Sequence, residues 1–194
     1  MDRFLRISFS FFFAAFCCSF VAAQEKYEKE SRIKQQDVPA AALRFVESLQ
    51  PGAKVKWYME EGLERKSIEA KYKKQKQQFS IEFDTSGNVE DVEIEVRFAA
   101  LSTALQTKIN SYLQQACASY KIMKVQTQYS GSAAVLFEKL TTTQQPSGLV
   151  RRYELVVKCK TGNKVELMEY LFSDEGVMLS QSTVIFKNSS HLEY

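Results

Sequence analysis

The residue types that most often do chemistry are scarce in this sequence. It contains a single histidine, His191, which excludes ordinary Ser-His and Cys-His catalytic pairs and most zinc sites. The segment Asp84-Thr85-Ser86-Gly87 is superficially similar to an aspartic-protease loop, but a glycine turn explains it better. The acidic row Asp91, Glu93 and Glu95 is more typical of a solvated strand than of a metal site. No phosphate loop, CxxC or GxSxG motif occurs, so we expect no catalytic residue, no cofactor and no bound metal.

Composition indicates a folded chain without affinity for nucleic acid. Hydrophobic residues make up 45% of the 194 residues and charged residues 25%, which is a globular balance. The formal net charge is +3, from 26 basic and 23 acidic side chains, and this bias is too weak to indicate a nucleic-acid partner. Lysines crowd residues 71–76, and we interpret this stretch as a solvated hairpin tip that resists aggregation.

The N-terminal segment, residues 1–23, has the pattern of a secretory signal. Arg3 and Arg6 form a basic start, an uncharged apolar run follows, and the run ends in the small residues Ala22 and Ala23. A membrane anchor is the alternative, but the run is at the short limit of the ~17–25 residues that span a bilayer. We therefore predict cleavage after Ala23 and a periplasmic or extracellular protein that keeps no membrane span.

After the signal, one helix and four strands are predicted. Residues 24–36 are charged and lack an apolar period, so we expect a flexible leader. Apolar residues follow helical spacing from Val38 to Leu49, and Gln50-Pro51-Gly52 ends this helix. Four runs with a period of two come next, as in half-buried strands. Their apolar members are Ala53, Val55 and Trp57, then Ile68, Ala70 and Tyr72, then Phe79, Ile81 and Phe83, and finally Val92, Ile94 and Val96.

The same pattern then repeats along the chain. A second helical stripe runs from Leu101 to Ala116, and strand-like runs follow at residues 120–128, 150–160, 164–172 and 177–186. We interpret this as an internal duplication. The predicted fold class is α+β, with each unit a helix packed on a four-stranded antiparallel sheet. The predicted units are residues 37–97 and 98–187, followed by a C-terminal tail at 188–194.

Both hairpin registers can be derived from this periodicity. Turns at residues 75–76 and 162–163 give the opposed pairs Ile68 with Phe83 and Tyr153 with Phe172. With these registers the apolar pairs of each hairpin share one face, as antiparallel pairing requires. We expect a helix to cover each apolar face.

Two cysteines, Cys117 and Cys159, remain after the predicted cleavage. An oxidising compartment would allow a disulfide between them. Cys159 lies on the predicted core face, but Cys117 lies at the flank of its helical stripe. A bridge needs Cα atoms within about 7 Å, so we expect two free thiols and keep the disulfide as the alternative.

The outer face of the second unit carries unexpected apolar residues. Val156, Val165, Leu167 and Leu171 fall on the face that should meet water. One interpretation is a protein-binding patch, since exposed apolar clusters mark partner sites. The alternative is that residues 130–148 fold over them. The predicted protein-binding residues on this face are Tyr58, Arg152, Val156, Leu167 and Leu171.

With the repeat in view, the chain resembles the PepSY-like, β-lactamase-inhibitor-like secreted proteins of bacteria. The resemblance depends on Asp37-Val38-Pro39-Ala40-Ala41, on Pro51-Gly52-Ala53-Lys54-Val55, on the hairpin from Ile68 to Phe83, and on the turn that follows it. It implies tandem units with helical cover over four-stranded antiparallel sheets. In the inhibitor that names the family, the concave sheet surface grips an enzyme, and related domains in protease propeptides are thought to restrain the protease.

Three functional hypotheses follow. The first is a secreted, non-enzymatic protein-binding module that inhibits or regulates an envelope or extracellular enzyme. The second is a structural envelope protein without a specific enzyme target. The third, an enzyme that uses carboxylates, is the least favoured because no catalytic motif accompanies the acidic residues.

Overall fold

The computed structural model describes residues 24–62 and 65–186. The predicted signal segment and the predicted C-terminal tail therefore lie outside the described residues. Within the described part, no helix is long and apolar enough to cross a membrane. Its strands are Gln24–Ile33 (β1), Lys56–Glu61 (β2), Lys66–Lys74 (β3), Gln77–Phe83 (β4), Val89–Glu95 (β5), Ser119–Ser130 (β6), Val150–Thr161 (β7), Lys164–Ser173 (β8) and Met178–Phe186 (β9). Its α-helices are Ala40–Ser48 (α1), Thr103–Ala116 (α2) and Ala133–Thr141 (α3).

One continuous sheet contains all of these strands in chain order. β5 pairs antiparallel with the second half of β6, so the two predicted halves share this sheet. The prediction of two separate four-stranded sheets is therefore wrong. The physical reason is that the acidic side chains of β5 have hydrogen-bond partners on β6, across the boundary between the two predicted units. Gln126 Nε2 donates to Glu93 at 2.7 Å, and Gln128 Nε2 donates to Asp91 at 3.4 Å.

The predicted flexible leader is also wrong, because most of it forms β1. This strand pairs antiparallel with β2 and in parallel with β9, so the sheet closes on itself. This pairing provides partners for the charged side chains, whose abundance makes the segment look unstructured in the sequence. Lys29 Nζ lies 3.2 Å from Glu61, and Lys71 Nζ on β3 lies 3.2 Å from Glu30.

Both predicted hairpin registers are confirmed. Ile68 pairs with Phe83 in β3–β4, and Tyr153 pairs with Phe172 in β7–β8. The first turn is tight because Gln75 and Lys76 both adopt left-handed backbone, with φ of 51° and 68°. That conformation suits the twist of a two-residue hairpin.

The three helices pack on one face of the sheet. α1 buries Ala42 and Val46 against the first half of the sheet, and α2 buries its stripe against the second half. α3 places Leu136, which is fully buried, in the same cluster as α1. The alternative that residues 130–148 cover the outer apolar face is therefore wrong, because Leu136 draws this segment to the helical face.

Matching turns position the two main helices. Pro39 is the N-cap of α1 and Ser102 is the N-cap of α2, so the first helix begins two residues after Val38, where the helical spacing in the sequence starts. Gly87 has a φ of +87°, and a Cβ there would lie 2.9 Å from the Ala42 backbone nitrogen. Gly176 has a φ of +79° and approaches Leu105 of α2 in the same way. Each turn needs glycine because its backbone has a positive φ and because a Cβ at that position would crowd the adjacent helix.

Cys117 and Cys159 form a disulfide, with Cα atoms 5.5 Å apart. The prediction of free thiols is wrong because Cys117 is the C-cap of α2 and not a flank position. The chain turns there from the helix into β6, directly above Cys159 of β7. Both residues are 4% exposed, so the bridge ties the end of α2 to the sheet.

Candidate functional site

Four of the five predicted binding residues lie together on two neighbouring strands, on the sheet face that carries none of the helices α1 to α3 and that we call the outer face. Arg152 and Val156 lie on β7, and Leu167 and Leu171 lie on β8. All four side chains are half-buried. Arg152 donates to Ser130 Oγ at 3.2 Å, so its guanidinium already has a partner on β6.

Tyr58, the fifth, is apart from the others on β2 and is 5% exposed. The ammonium of Lys71 lies 5.1 Å from the centre of its ring. A cation over an aromatic face is attracted by the ring quadrupole, so Tyr58 serves as packing for Lys71. Sequence reasoning missed this burial because it depends on the closure of the sheet by β1.

Lys71 is the centre of a buried charge cluster. Its Nζ lies 2.7 Å from Glu69 and 3.2 Å from Glu30, and Ser80 Oγ also donates to Glu69. Burial lowers the pKa of Lys71, but attraction first to Glu69 and then to Glu30 outweighs burial and raises it. Glu30, Glu60 and Glu69 have carboxylate oxygens within 4.8 Å of one another, as a metal site would need. Because the ammonium of Lys71 already pairs with Glu69 and Glu30 in this cluster, we assign no metal to it.

Asp91 on β5 is a strongly perturbed carboxyl on the same sheet face. Burial first, and then the nearby charges of Glu82 and Glu154, raise its pKa to about 8. Its Oδ1 is buried and accepts no hydrogen bond from any described residue. Perturbed carboxyls occur both at functional sites and in structural charge networks, and the neighbours of Asp91 are mostly acids, with the Arg65 charge and the Gln128 amide as its favourable interactions. We therefore treat it as a cost to stability.

We expect the substitution Asp91→Asn to flatten the dependence of stability on pH. Folded Asp91 keeps its proton up to about pH 8, whereas an unfolded aspartate loses it near pH ~3.9. The folded state therefore binds more protons in this window, and its stability falls as pH rises from 5 to 9. Urea unfolding across this range measures the effect. Glu95→Gln, at an exposed position of the same strand, is the control. Equal slopes for Asp91→Asn and the wild type would contradict the assignment.

The most accessible apolar surface of the outer face lies at one end of β6, β7 and β8. Val165 is 51% exposed. Leu167 follows two residues along the same face of β8, and Val156 of β7 lies diagonally across from Leu167, opposite Glu169; both are half-buried. Four exposed lysines surround them: Lys121, Lys124, Lys158 and Lys160. Cross-strand pairs place these lysines on the same face, with Lys158 opposite Leu167 and Lys160 opposite Val165. We call these seven residues the lysine-rimmed patch.

The rim of this patch carries uncompensated charge. Among residues 24–62 and 65–186, no acidic side chain forms an ion pair with any of the four lysines. The opposite face of the same strands is core, where Val157 and Cys159 pack beneath α2. The disulfide anchors this end of the sheet, so the patch is supported by a rigid element.

A cavity of about 370 Å³ lies on the helical face beside the N-terminus of α2. Arg151 and Asp174 face it and form a two-pronged ion pair at 2.7 and 2.8 Å. The Tyr153 hydroxyl adds a 3.4 Å hydrogen bond to the same carboxylate. The guanidinium is therefore already matched by a carboxylate, and this cavity is a weaker candidate than the lysine-rimmed patch.

Comparison with known proteins finds similarity in structure and not in sequence. No family model matches the chain, and no curated protein matches it. A DUF2874 family protein from Bacteroides ovatus is similar with a TM-score of 0.51 and 13% identity, over 75% of this chain and 87% of that one. A BLIP-like protein from Bacteroides fragilis has a TM-score of 0.48 and 17% identity, over 79% of this chain and 92% of that one.

At 13% identity, the likeness to the DUF2874 family protein concerns the fold alone. The relationship to PepSY-like proteins and the internal duplication stay predictions. The placement of the five predicted binding residues describes where they lie and does not test whether they bind.

Proposed function

We propose that the chain is an exported, non-enzymatic protein-binding module that contacts its partner through the lysine-rimmed patch. The observation that carries this proposal is an exposed apolar centre, Val165 with Val156 and Leu167, inside a rim of unpaired lysines. An apolar centre with a charged rim is the usual anatomy of a protein interface. Of the five predicted binding residues, Val156 and Leu167 belong to this patch.

Two further features support binding over a purely structural role. The charged rim is uncompensated within the described chain, so it is available to steer an oppositely charged partner. The patch also lies on paired strands above a buried core, so little ordering cost would accompany binding. A binding module with these features could inhibit or regulate an envelope or extracellular enzyme, and that is the role we propose.

The non-enzymatic part of the proposal follows from the available chemistry. The one histidine, His191, has no predicted catalytic partner in sequence. The buried acids near Lys71 are engaged with its ammonium, and Asp91 interacts with neighbouring acids, with Arg65 and with Gln128, none of which is a nucleophile.

We expect the double substitution Val165→Ser with Leu167→Ser to weaken partner capture strongly without unfolding the protein. Residues 24–194 would be immobilised and exposed to the envelope and secreted fractions of the native host. Retained proteins would then be quantified by mass spectrometry. Loss of the apolar centre should reduce the specific partner by about tenfold or more, because central apolar contacts dominate binding energy.

Val177→Ser with Leu179→Ser is the matched control, since these residues are 59% and 49% exposed elsewhere on the surface. Urea unfolding verifies that both variants fold. Equal capture by the patch variant and the control would contradict the proposed surface. If wild-type protein retains nothing that the beads alone do not, the structural-protein hypothesis is favoured instead.

A further inference from the structure

We propose that the partner docks as an extended acidic segment that adds a strand to the free edge of β6 at Ser119–Lys124. This inference rests on the proposed protein-binding function and names the chemistry of the partner. It combines an unpaired strand edge, an adjoining apolar groove and an unpaired set of basic side chains.

The edge of β6 is open over its first half. β5 pairs with residues 126–130, and the last contact on that side is from Val96 N to Val125 O at 3.0 Å. On this side of Ser119–Lys124, no other described strand, loop or side chain provides a backbone hydrogen-bond partner. Alternate N–H and C=O groups of such an edge point outward, and six residues match the length of a typical strand.

A groove of about 420 Å³ lies beside this open edge. Its apolar lining is Val96 and Phe98 on one side and Tyr120 and Ile122 of β6 on the other. Tyr120 is held in place by its hydroxyl, which donates to Asn110 of α2 at 3.0 Å. Every second side chain of an added strand would point into this groove, as in known cases of strand addition.

The remaining side chains of an added strand would meet basic residues. The register of β6 with β7 shifts between Ile122 and Lys124, so Met123 is the extra residue of a bulge. The bulge places Lys124 on the same sheet face as Lys121, and Lys124 also lines the groove. Neither lysine forms an ion pair within the described chain, and Arg97 beside them forms none either. Among the described residues that line the groove, Glu95 is the one acid, so the edge selects a segment that alternates apolar and acidic residues.

A second copy of this chain is a poor occupant of the same edge. Antiparallel self-pairing would bring the lysines of the two copies close together, and like charges across strands are destabilising. Lysine at a strand edge is a common protection against such self-association. An acidic segment from another protein would instead be attracted to these lysines.

The test uses a defined probe, a capped ten-residue peptide of alternating glutamate and valine. Binding to residues 24–194 would be measured by calorimetry, and backbone amide protection would be followed by hydrogen exchange. We expect saturable binding and new protection at Ser119–Lys124. The same peptide with lysine in place of glutamate should not bind. N-methylation of alternate amides along one edge should abolish binding, because it removes the donors of a strand ladder.

Charge reversal locates the site. Lys121→Glu with Lys124→Glu should weaken binding of the glutamate–valine peptide by about tenfold. Lys73→Glu with Lys76→Glu makes the same change in net charge at the exposed β3–β4 hairpin and should change binding by less than about twofold.

Several outcomes would overturn this inference. They are no binding of the glutamate–valine peptide, equal binding of the lysine–valine peptide, and equal effects of the two charge reversals. Binding of duplex DNA or of phosphatidylglycerol vesicles through Lys121 and Lys124 would also overturn it, since the occupant would then not be a protein segment. The proposed function has a separate readout: capture lost in Val165→Ser with Leu167→Ser but no peptide docking at β6 would retain the function and reject the edge.

Discussion

Truncation of either Phe83 or Phe172 to alanine is expected to reduce the free energy of unfolding by about 3–5 kcal/mol. Both side chains are fully buried at the ends of corresponding hairpins. Phe83 packs against Phe45 and Trp57, with ring centres 5.9 and 6.1 Å away. Phe172 packs edge-on against Tyr112 at 5.6 Å. Each truncation removes apolar contacts and leaves a cavity that the paired strands cannot close.

Urea unfolding of both variants, followed by tryptophan fluorescence and circular dichroism, measures this cost. Val177→Ala is the control, because Val177 is 59% exposed and a surface truncation changes stability by only about 0.5 kcal/mol. A cost below about 1 kcal/mol at either phenylalanine would mean that the position is not core. The hairpin register would then be wrong at that end of the sheet.

The hairpin registers were predictable because the information is local. In β3–β4 and β7–β8, strands joined by a tight turn alternate apolar and polar residues, and a one-residue slip would expose every core side chain. The pair Tyr153 with Phe172 follows from that constraint and from a turn containing Gly162. The helical stripe of α2 is predictable for the same reason, since it must cover the apolar face that the strands create.

Closure of the sheet was not predictable from the same signals. β1 is polar on both faces, so it has no apolar period to mark it as a strand. Its pairing depends on charges far away in sequence, such as Glu30 with Lys71. The pairing of β5 with β6 likewise depends on Gln126 and Gln128, which donate hydrogen bonds to the acidic row of β5. These are long-range polar contacts, which alternation along one strand does not encode.

The candidate surface was partly visible in the sequence. Val156 and Leu167 were identified because they are apolar on a face that should be polar. The lysines around them were missed, although the correct hairpin register already places Lys158 opposite Leu167. Lys121 and Lys124 were harder to place, since the bulge at Met123 changes which face β6 presents. Tyr58 was misjudged because an aromatic residue on the outer face becomes buried once β1 closes the sheet.

Removal of the Cys117–Cys159 disulfide is expected to lower the free energy of unfolding by about 3–4 kcal/mol. The bridge joins residues 42 positions apart, so its loss frees a long loop in the unfolded chain. The variant Cys117→Ala with Cys159→Ala and the reduced wild type should unfold at similarly lower urea concentrations. If the alanine variant and the reduced wild type lose the same free energy of unfolding, the effect comes from loss of the disulfide bond and not from replacement of the cysteine side chains.

Loss of the disulfide should loosen the sheet most at the end that carries the lysine-rimmed patch. The bridge ties α2 to the end of β7, beside the part of β6 that has no second neighbouring strand. Loss of the bridge should therefore increase amide exchange at Ser119–Lys124 before the rest of the sheet opens. Thiol titration of unfolded, unreduced residues 24–194 should find no reactive thiol. Two reactive thiols, or a reduced protein as stable as the oxidised one, would contradict the bridge and remove the support that we assign to this end of the sheet.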